Sequence, residues 1–168
     1  PEDADEFERH CEGLDDAAAS GLIGVEADGL AYWVAAIREN FEEAGLLLGR
    51  SRSRGLPMSD ALAGERQRLH RRETSFLDIV KAHDLVLDTH AVHYVAHWIT
   101  PLGSPRRFSA RFFVTHPPEG QSVTHDESET VGWAWVSPKT ALAAFERNEM
   151  VMMSPTVRML RCHNLFDS

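Results

Sequence analysis

Leu30, Val34, Ile37 and Phe41 recur at three- and four-residue steps through the stretch LAYWVAAIRENFEEAGL, residues 30–46. At 100° per residue they fall on one stripe, so the pattern predicts an amphipathic helix with a single buried face. Asp28 is placed to cap its start, and Gly45 stands where a helix ending at Ala44 needs a left-handed residue. Glu39, Glu42 and Glu43 gather on the opposite side, within an arc of roughly 100°.

The flanking segments follow less regular rules. Pro1, heading an acid-rich run, predicts a helix N-terminus with Phe7 and Cys11 as its apolar contact. Gly21, Gly24 and Gly29 then predict an irregular connection from Leu14 to Asp28. Beyond the central helix, Ser51 to Pro57 reads as a loop, and Ser59 caps a predicted helix through about His70. Thr74 caps another through about His83, with Phe76, Ile79 and Val80 at helical spacing. From Leu85 the period becomes strand-like. Leu85 to Leu87, Ala91 to Ile99, Phe108 to Thr115 and Thr130 to Val136 are the predicted strands, and Thr100-Pro101 stops the second. Ser137-Pro138 and Ser154-Pro155 each supply an N-cap and first helical position, for helices through about Asn148 and Leu165. Strands with helices before and after them predict an α/β layered domain with a mixed sheet.

The 168 residues, 43% of them hydrophobic, suffice for one sizeable core, so a single domain spanning 1–168 is expected. Within it, 1–29 reads as an acidic surface insertion, 30–46 as the central helix, 50–84 as an Arg-rich helical insertion and 85–168 as strands and C-terminal helices. The acidic segment holds ten of the 26 acids against one base, Arg9, and residues 50–72 hold seven of the 17 bases. Such an Arg-rich helix could hold the far end of a phosphorylated substrate, or be a solvated face paired with the acids. A net charge of -9 argues against non-specific binding to nucleic acid or an anionic membrane. No apolar run approaches 18 residues and no signal-peptide pattern occurs. Cys11 and Cys162 carry no motif spacing and suit a reducing compartment, so a cytoplasmic location is expected.

Charge changes the picture most on the central helix. Glu39 and Glu43 are like charges four apart, which costs an isolated helix roughly 0.2–0.5 kcal/mol, and only Arg38, four before Glu42, offsets it locally. The acids also lie towards the C-terminal end, where the helix dipole disfavours them. A solvated acidic face is one reading. A hard divalent cation is the other, because Mg2+ takes oxygen ligands and keeps waters that a phosphate substrate can share.

Arg38-Glu39-Asn40-Phe41-Glu42-Glu43-Ala44-Gly45-Leu46 resembles the second half of the Nudix box, R-E-hydrophobic-x-E-E-x-G-hydrophobic, at every prescribed position except Asn40. The first half is not met, since Gly24 is in place but Leu30 stands where a Glu is prescribed. In the branch resembling the peroxisomal coenzyme A diphosphatases, a long insertion separates the glycine-rich loop from this helix, so the loop and the N-terminal strands would lie before Pro1. His97-Trp98-Ile99-Thr100-Pro101, Pro105-Arg106-Arg107-Phe108, Phe112-Phe113, Glu129, Trp135-Val136-Ser137-Pro138 and Ser154-Pro155-Thr156 follow the order of that branch's signature stretches.

The resemblance implies a Nudix-type α/β/α sandwich hydrolysing a diphosphate linkage, with Mg2+ or Mn2+ held by Glu39, Glu42 and Glu43. It implies Glu39 or Glu129 as base and Arg38 as the residue orienting the glutamates; Glu127 competes with Glu129 as the distal acid. Coenzyme A or an acyl-CoA, split to 3',5'-ADP and a 4'-phosphopantetheine product, is the implied substrate. A homodimer is left open. Arg106 and Arg107 suit phosphate binding, and ion pairing at a sheet edge suits them equally. His83, His90, His93 and His97 fit no usual zinc spacing. Two alternatives stay open: a Nudix-like binding module without catalysis, and a hydrolase of ADP-ribose or NADH.

Overall fold

The computed structural model describes residues 4–53, 59–103, 106–124 and 134–163. The chain forms two compact units, Pro1–Val131 and Gly132–Ser168. In chain order the first contains α1 (Ala4–Glu8), β1 (Cys11–Glu12), α2 (Asp16–Ile23), α3 (Leu30–Ala44), β2 (Gly49–Ser51), α4 (Ser59–His70), α5 (Phe76–Ala82), β3 (Leu85–Asp88), β4 (His93–Ile99) and β5 (Ser109–Val114). The second contains α6 (Pro138–Glu146) and α7 (Ser154–His163).

The amphipathic helix expected over 30–46 is α3, and its apolar stripe is the centre of the core. Leu30, Val34, Ile37 and Phe41 are buried as the periodicity requires, and Trp33 joins them with no exposed surface. Gly45 ends the helix at φ 70°, its N–H donating to the Phe41 carbonyl at 3.1 Å. The start is different from expectation. Asp28 lies at φ 61° and is not the cap. The cap comes from α2: Asp16 Oδ1 accepts from Leu30 N–H at 2.9 Å and Asp16 Oδ2 from Asp28 N–H at 3.0 Å. Ser20 Oγ accepts from Gly29 N–H at 2.9 Å. A carboxylate held there also complements the positive end of the α3 dipole.

Residues 4–29 are therefore not a solvated insertion. The stretch read as an irregular connection contains α2, whose N-cap Asp15 accepts from Ala18 N–H at 2.8 Å. Gly24 is its left-handed stop at φ 70° rather than a breaker. Ala19 and Ile23 enter the core, and Phe7 of α1 stacks on Phe76 with ring centroids 6.1 Å apart. Cys11 lies in β1 rather than on the first helix.

β3 is the middle strand of a mixed sheet ordered β1-β3-β2, parallel to β1 and antiparallel to β2. Leu85, Val86 and Leu87 are all buried, as a central strand's continuous apolar run requires. β4 and β5 form an antiparallel pair with an irregularity between Tyr94 and Ala96. The pair closes at Thr100 and Phe108, where Thr100 N–H donates to Phe108 O at 2.9 Å. The cap of α5 is Ser75 and not Thr74: Ser75 and Asp78 make a reciprocal capping box. In the second unit Ser137 caps α6 as expected, accepting from Thr140 N–H at 3.1 Å. Of the strand expected over 130–136, residues 130–133 lie outside the described residues and 134–136 form no strand.

Candidate active site

Arg38, Glu39 and Glu42 are drawn into one cluster on the exposed side of α3. Arg38 Nη1 donates to Glu42 Oε1 at 2.5 Å, and Nη2 donates to Glu39 Oε1. The i,i+4 spacing brings Glu42 to Arg38 on the helix surface, and the other arm of the guanidinium reaches round to the adjacent Glu39. Burial disfavours the Arg38 charge, but the hydrogen bond and charge of Glu42, then those of Glu39, outweigh it and hold the guanidinium above the ordinary arginine value. The two acids are not equivalent, since the Glu42 side chain is 20% exposed and that of Glu39 51%. Each keeps its other carboxylate oxygen clear of the Arg38 fork. Glu43 follows on the last turn and is exposed.

A second set of residues fixes the end of the helix. Arg66, which is buried, donates from Nε to Glu42 O at 2.8 Å, from Nη2 to Glu43 O at 2.9 Å and from Nη1 to Thr124 Oγ1 at 2.8 Å. His70 Nε2 lies 3.0 Å from the same Glu42 carbonyl, which can only accept, so that nitrogen carries the proton. Thr124 N–H donates to Ala44 O at 2.9 Å. The Gln121 amide brackets Leu47, accepting from its N–H and donating to its carbonyl, each at 2.9 Å. Gly45 has no room for a side chain, because a Cβ there would stand 2.2 Å from Thr124 Oγ1. Orphan carbonyls at a helix C-terminus call for donors and a run of acids there calls for a cation; Arg66 supplies both, and His70 supplies a further donor.

Arg66 is thus neither the far-phosphate ligand nor the solvated residue that the Arg-rich segment admitted. A lone Arg among seven gives no local sign of this. The unbalanced acids at the helix end were the usable signal.

Arg106 and Arg107 lie in the β4–β5 connection, both exposed, with Arg107 Nε donating to Thr100 O at 3.2 Å. No hydrogen bond or ion pair among the described residues joins them to the glutamates. Glu127 and Glu129 lie outside the described residues. A cleft of about 340 Å3 opens beside β2 and β3, with Glu12, Arg50, Asp88, His116 and Glu119 on its walls, and none of the α3 acids lines it. The four histidines do not form a cluster: His83 pairs with Glu65 at 3.3 Å, and His97 meets Ser109 Oγ at 2.8 Å.

The family model of the NUDT19 Nudix domain matches residues 14–162, nearly the whole chain. The chain belongs to the NUDT19 Nudix domain family. Human acyl-coenzyme A diphosphatase NUDT19 is 33% identical over 144 residues, covering 79% of this chain and 38% of that protein. The Gallus gallus protein of the same name is 31% identical over 148 residues, covering 75% of this chain and 38% of its own length. The chain therefore spans about four tenths of the curated relatives it matches. The crystal structure of a NUDIX hydrolase from Alicyclobacillus acidocaldarius superposes with a TM-score of 0.72 at 20% identity, covering 96% of this chain and 70% of that one, so the fold is Nudix-type α/β.

Nudix membership gives Asn40 a meaning. The box prescribes a hydrophobic residue there, and instead the Asn40 side chain donates from Nδ2 to Leu46 O at 2.7 Å, tying the helix to the loop that follows it. The departure trades an apolar contact for a clamp. The Nudix donor set also fits a hard cation, since Glu39, Glu42 and Glu43 offer only carboxylate oxygens and carry the charge such an ion needs. Among the described residues no three His, Cys, Asp or Glu side chains are already grouped around a metal position.

Proposed function

We propose that the chain is the catalytic part of a metal-dependent diphosphatase that cleaves coenzyme A or an acyl-CoA to 3',5'-ADP and a 4'-phosphopantetheine product. The observation that carries this is the 33% identity, over 79% of the chain, to a protein named as an acyl-coenzyme A diphosphatase, on a chain whose R-E-x-x-E-E helix keeps its Arg-Glu-Glu cluster. Glu39, Glu42 and Glu43 would hold Mg2+ or Mn2+. The bound ion supplies a water of lowered pKa and neutralises charge building on the phosphate oxygens.

The chain's own residues prepare that site. Arg38 takes one oxygen of Glu39 and one of Glu42, which fixes both carboxylates in rotation and offsets their repulsion. Arg66, His70 and Thr124 prevent the last turn from fraying under two adjacent acids. Glu39, the more exposed of the Arg38-bound pair, is the base we assign, with Glu129 as the distal acid that the family pattern offers. Arg106 and Arg107 are assigned to bind substrate phosphate on their chemistry alone. The two free cysteines suit a cytoplasmic setting, and a homodimer is a second expectation, read by light scattering.

The test is product analysis by mass spectrometry after incubating the complete polypeptide with CoA, acetyl-CoA, ADP-ribose and NADH, with and without Mg2+. Metal-dependent 3',5'-ADP is the expected product. AMP from ADP-ribose or NADH alone would keep the reaction and replace the substrate. No turnover of any of them would point to a Nudix-like binding module.

A further inference from the structure

We infer that Arg111, laid across Tyr32, binds the ribose 3'-phosphate of the substrate, and so selects 3'-phosphorylated nucleotide diphosphates; this rests on the diphosphatase reading above. Tyr32, Glu39 and Glu43 stand at i, i+7 and i+11 on α3, within about 20° of one line along the helix. Tyr32 therefore shares the acidic face, about 10 Å along the axis from Glu39. Arg111 reaches it from β5, with Cζ 4.0 Å from the centre of the ring.

The arginine is unsatisfied in a way its surroundings do not explain. Its Nε is buried and has no hydrogen-bond partner. Among the described residues its guanidinium makes no hydrogen bond and no ion pair, in a chain with 26 acids against 17 Lys and Arg. A guanidinium without an anionic partner gains most from an oxyanion brought to its terminal nitrogens. The cation–π contact with the Tyr32 ring holds the guanidinium in place, and its planar fork is chemically suited to an oxyanion. A monoester on O3' is separated from the 5'-diphosphate only by the ribose atoms C3', C4', C5' and the two ester oxygens. With the diphosphate at the glutamates and the nucleoside laid along the α3 face towards Tyr32, such a phosphate would come within reach of a long arginine. Arg106 and Arg107, at the connection beyond the strand ends, lack this placement over α3.

The experiment compares CoA with dephospho-CoA as substrates, and 3',5'-ADP with 5'-AMP as ligands in titration calorimetry, for the complete wild-type polypeptide, Arg111→Gln and Arg111→Lys. The wild type is expected to prefer CoA, and Arg111→Gln to narrow the CoA to dephospho-CoA ratio of kcat/KM by about 10- to 100-fold, mainly through KM for CoA. The tighter binding of 3',5'-ADP over 5'-AMP is expected to vanish in Arg111→Gln and to return in part in Arg111→Lys. Equal losses for CoA and dephospho-CoA, or a wild type that binds both nucleotides alike, would overturn the assignment. Were neither compound hydrolysed, the diphosphatase reading would fall, while the two calorimetric titrations would still decide whether Arg111 reads the 3'-phosphate.

Discussion

Replacing Arg66 with Met removes three hydrogen bonds to described residues at once from the C-terminal end of α3 while keeping most of the side-chain volume. Glu42 O retains His70, so the larger losses fall on Glu43 O and Thr124 Oγ1. Hydrogen bonds to a charged group contribute about 1.5–3 kcal/mol each, and with one acceptor still served the two remaining losses give an expected destabilisation of about 3–6 kcal/mol. Against a total of about 5–15 kcal/mol this is large, and for an m-value of about 2 kcal/mol/M it lowers the urea midpoint by about 1.5–3 M. Unfolding is followed by tryptophan fluorescence, for which the buried Trp33 is a native-state reporter. Arg66→Lys recovers only a minor part, because one ammonium cannot span two carbonyls and a hydroxyl. An Arg66→Met midpoint within 0.2 M of wild type, roughly 0.4 kcal/mol on the same m-value, with KM raised instead, would refute the capping role and restore the far-phosphate reading.

Three further outcomes are expected. Arg38→Ala lowers kcat about 100-fold, because Glu39 and Glu42 lose their common anchor, yet changes stability by only about 0.2–1 kcal/mol, as for an exposed ion pair; steady-state kinetics beside urea denaturation separates the two effects. Asp16→Ala, which strips the start of α3 of its carboxylate, costs about 1–3 kcal/mol, whereas Asp16→Asn keeps the acceptor and costs less; a thermal midpoint unchanged in Asp16→Ala would refute the long-range cap. Burial, and then the charge of Glu8, push the Cys11 thiol up to about 12, so its thiolate is scarce at pH 8. A Cys162→Ser variant is therefore expected to react with a thiol reagent only on unfolding, and rapid native reaction would contradict this.

What could be read in the sequence follows from how local each signal was. α3 showed itself through a 3.6-residue period and the glycine at its end, and α6 through Ser137-Pro138, because each signal lies within one turn of its helix. The Arg38-Glu39-Glu42 cluster was legible for the same reason. β1 and β2 were missed since strands of two and three residues have no period to detect. α2 is hidden in the sequence because Gly21 and Gly24 look alike as breakers, although Gly24 is a stop and Gly21 lies inside the helix. The cap of α3 by Asp16 spans 14 residues, and the hold of Arg66 on Glu42 spans 24, so neither belongs to any local pattern. Arg111 carried no motif at all; only the packing of β5 over Tyr32 singles it out.

The most direct measurement of whether the chemistry resides on α3 is the rate of CoA hydrolysis against Mg2+ concentration, for the complete wild-type polypeptide and Glu42→Gln, with the fold of both checked by circular dichroism. A saturable dependence on Mg2+ in the wild type, with at least about a 100-fold loss in folded Glu42→Gln, is expected from a glutamate that holds the ion. Hydrolysis at the same rate in Glu42→Gln, or at the same rate without any divalent cation, would contradict it.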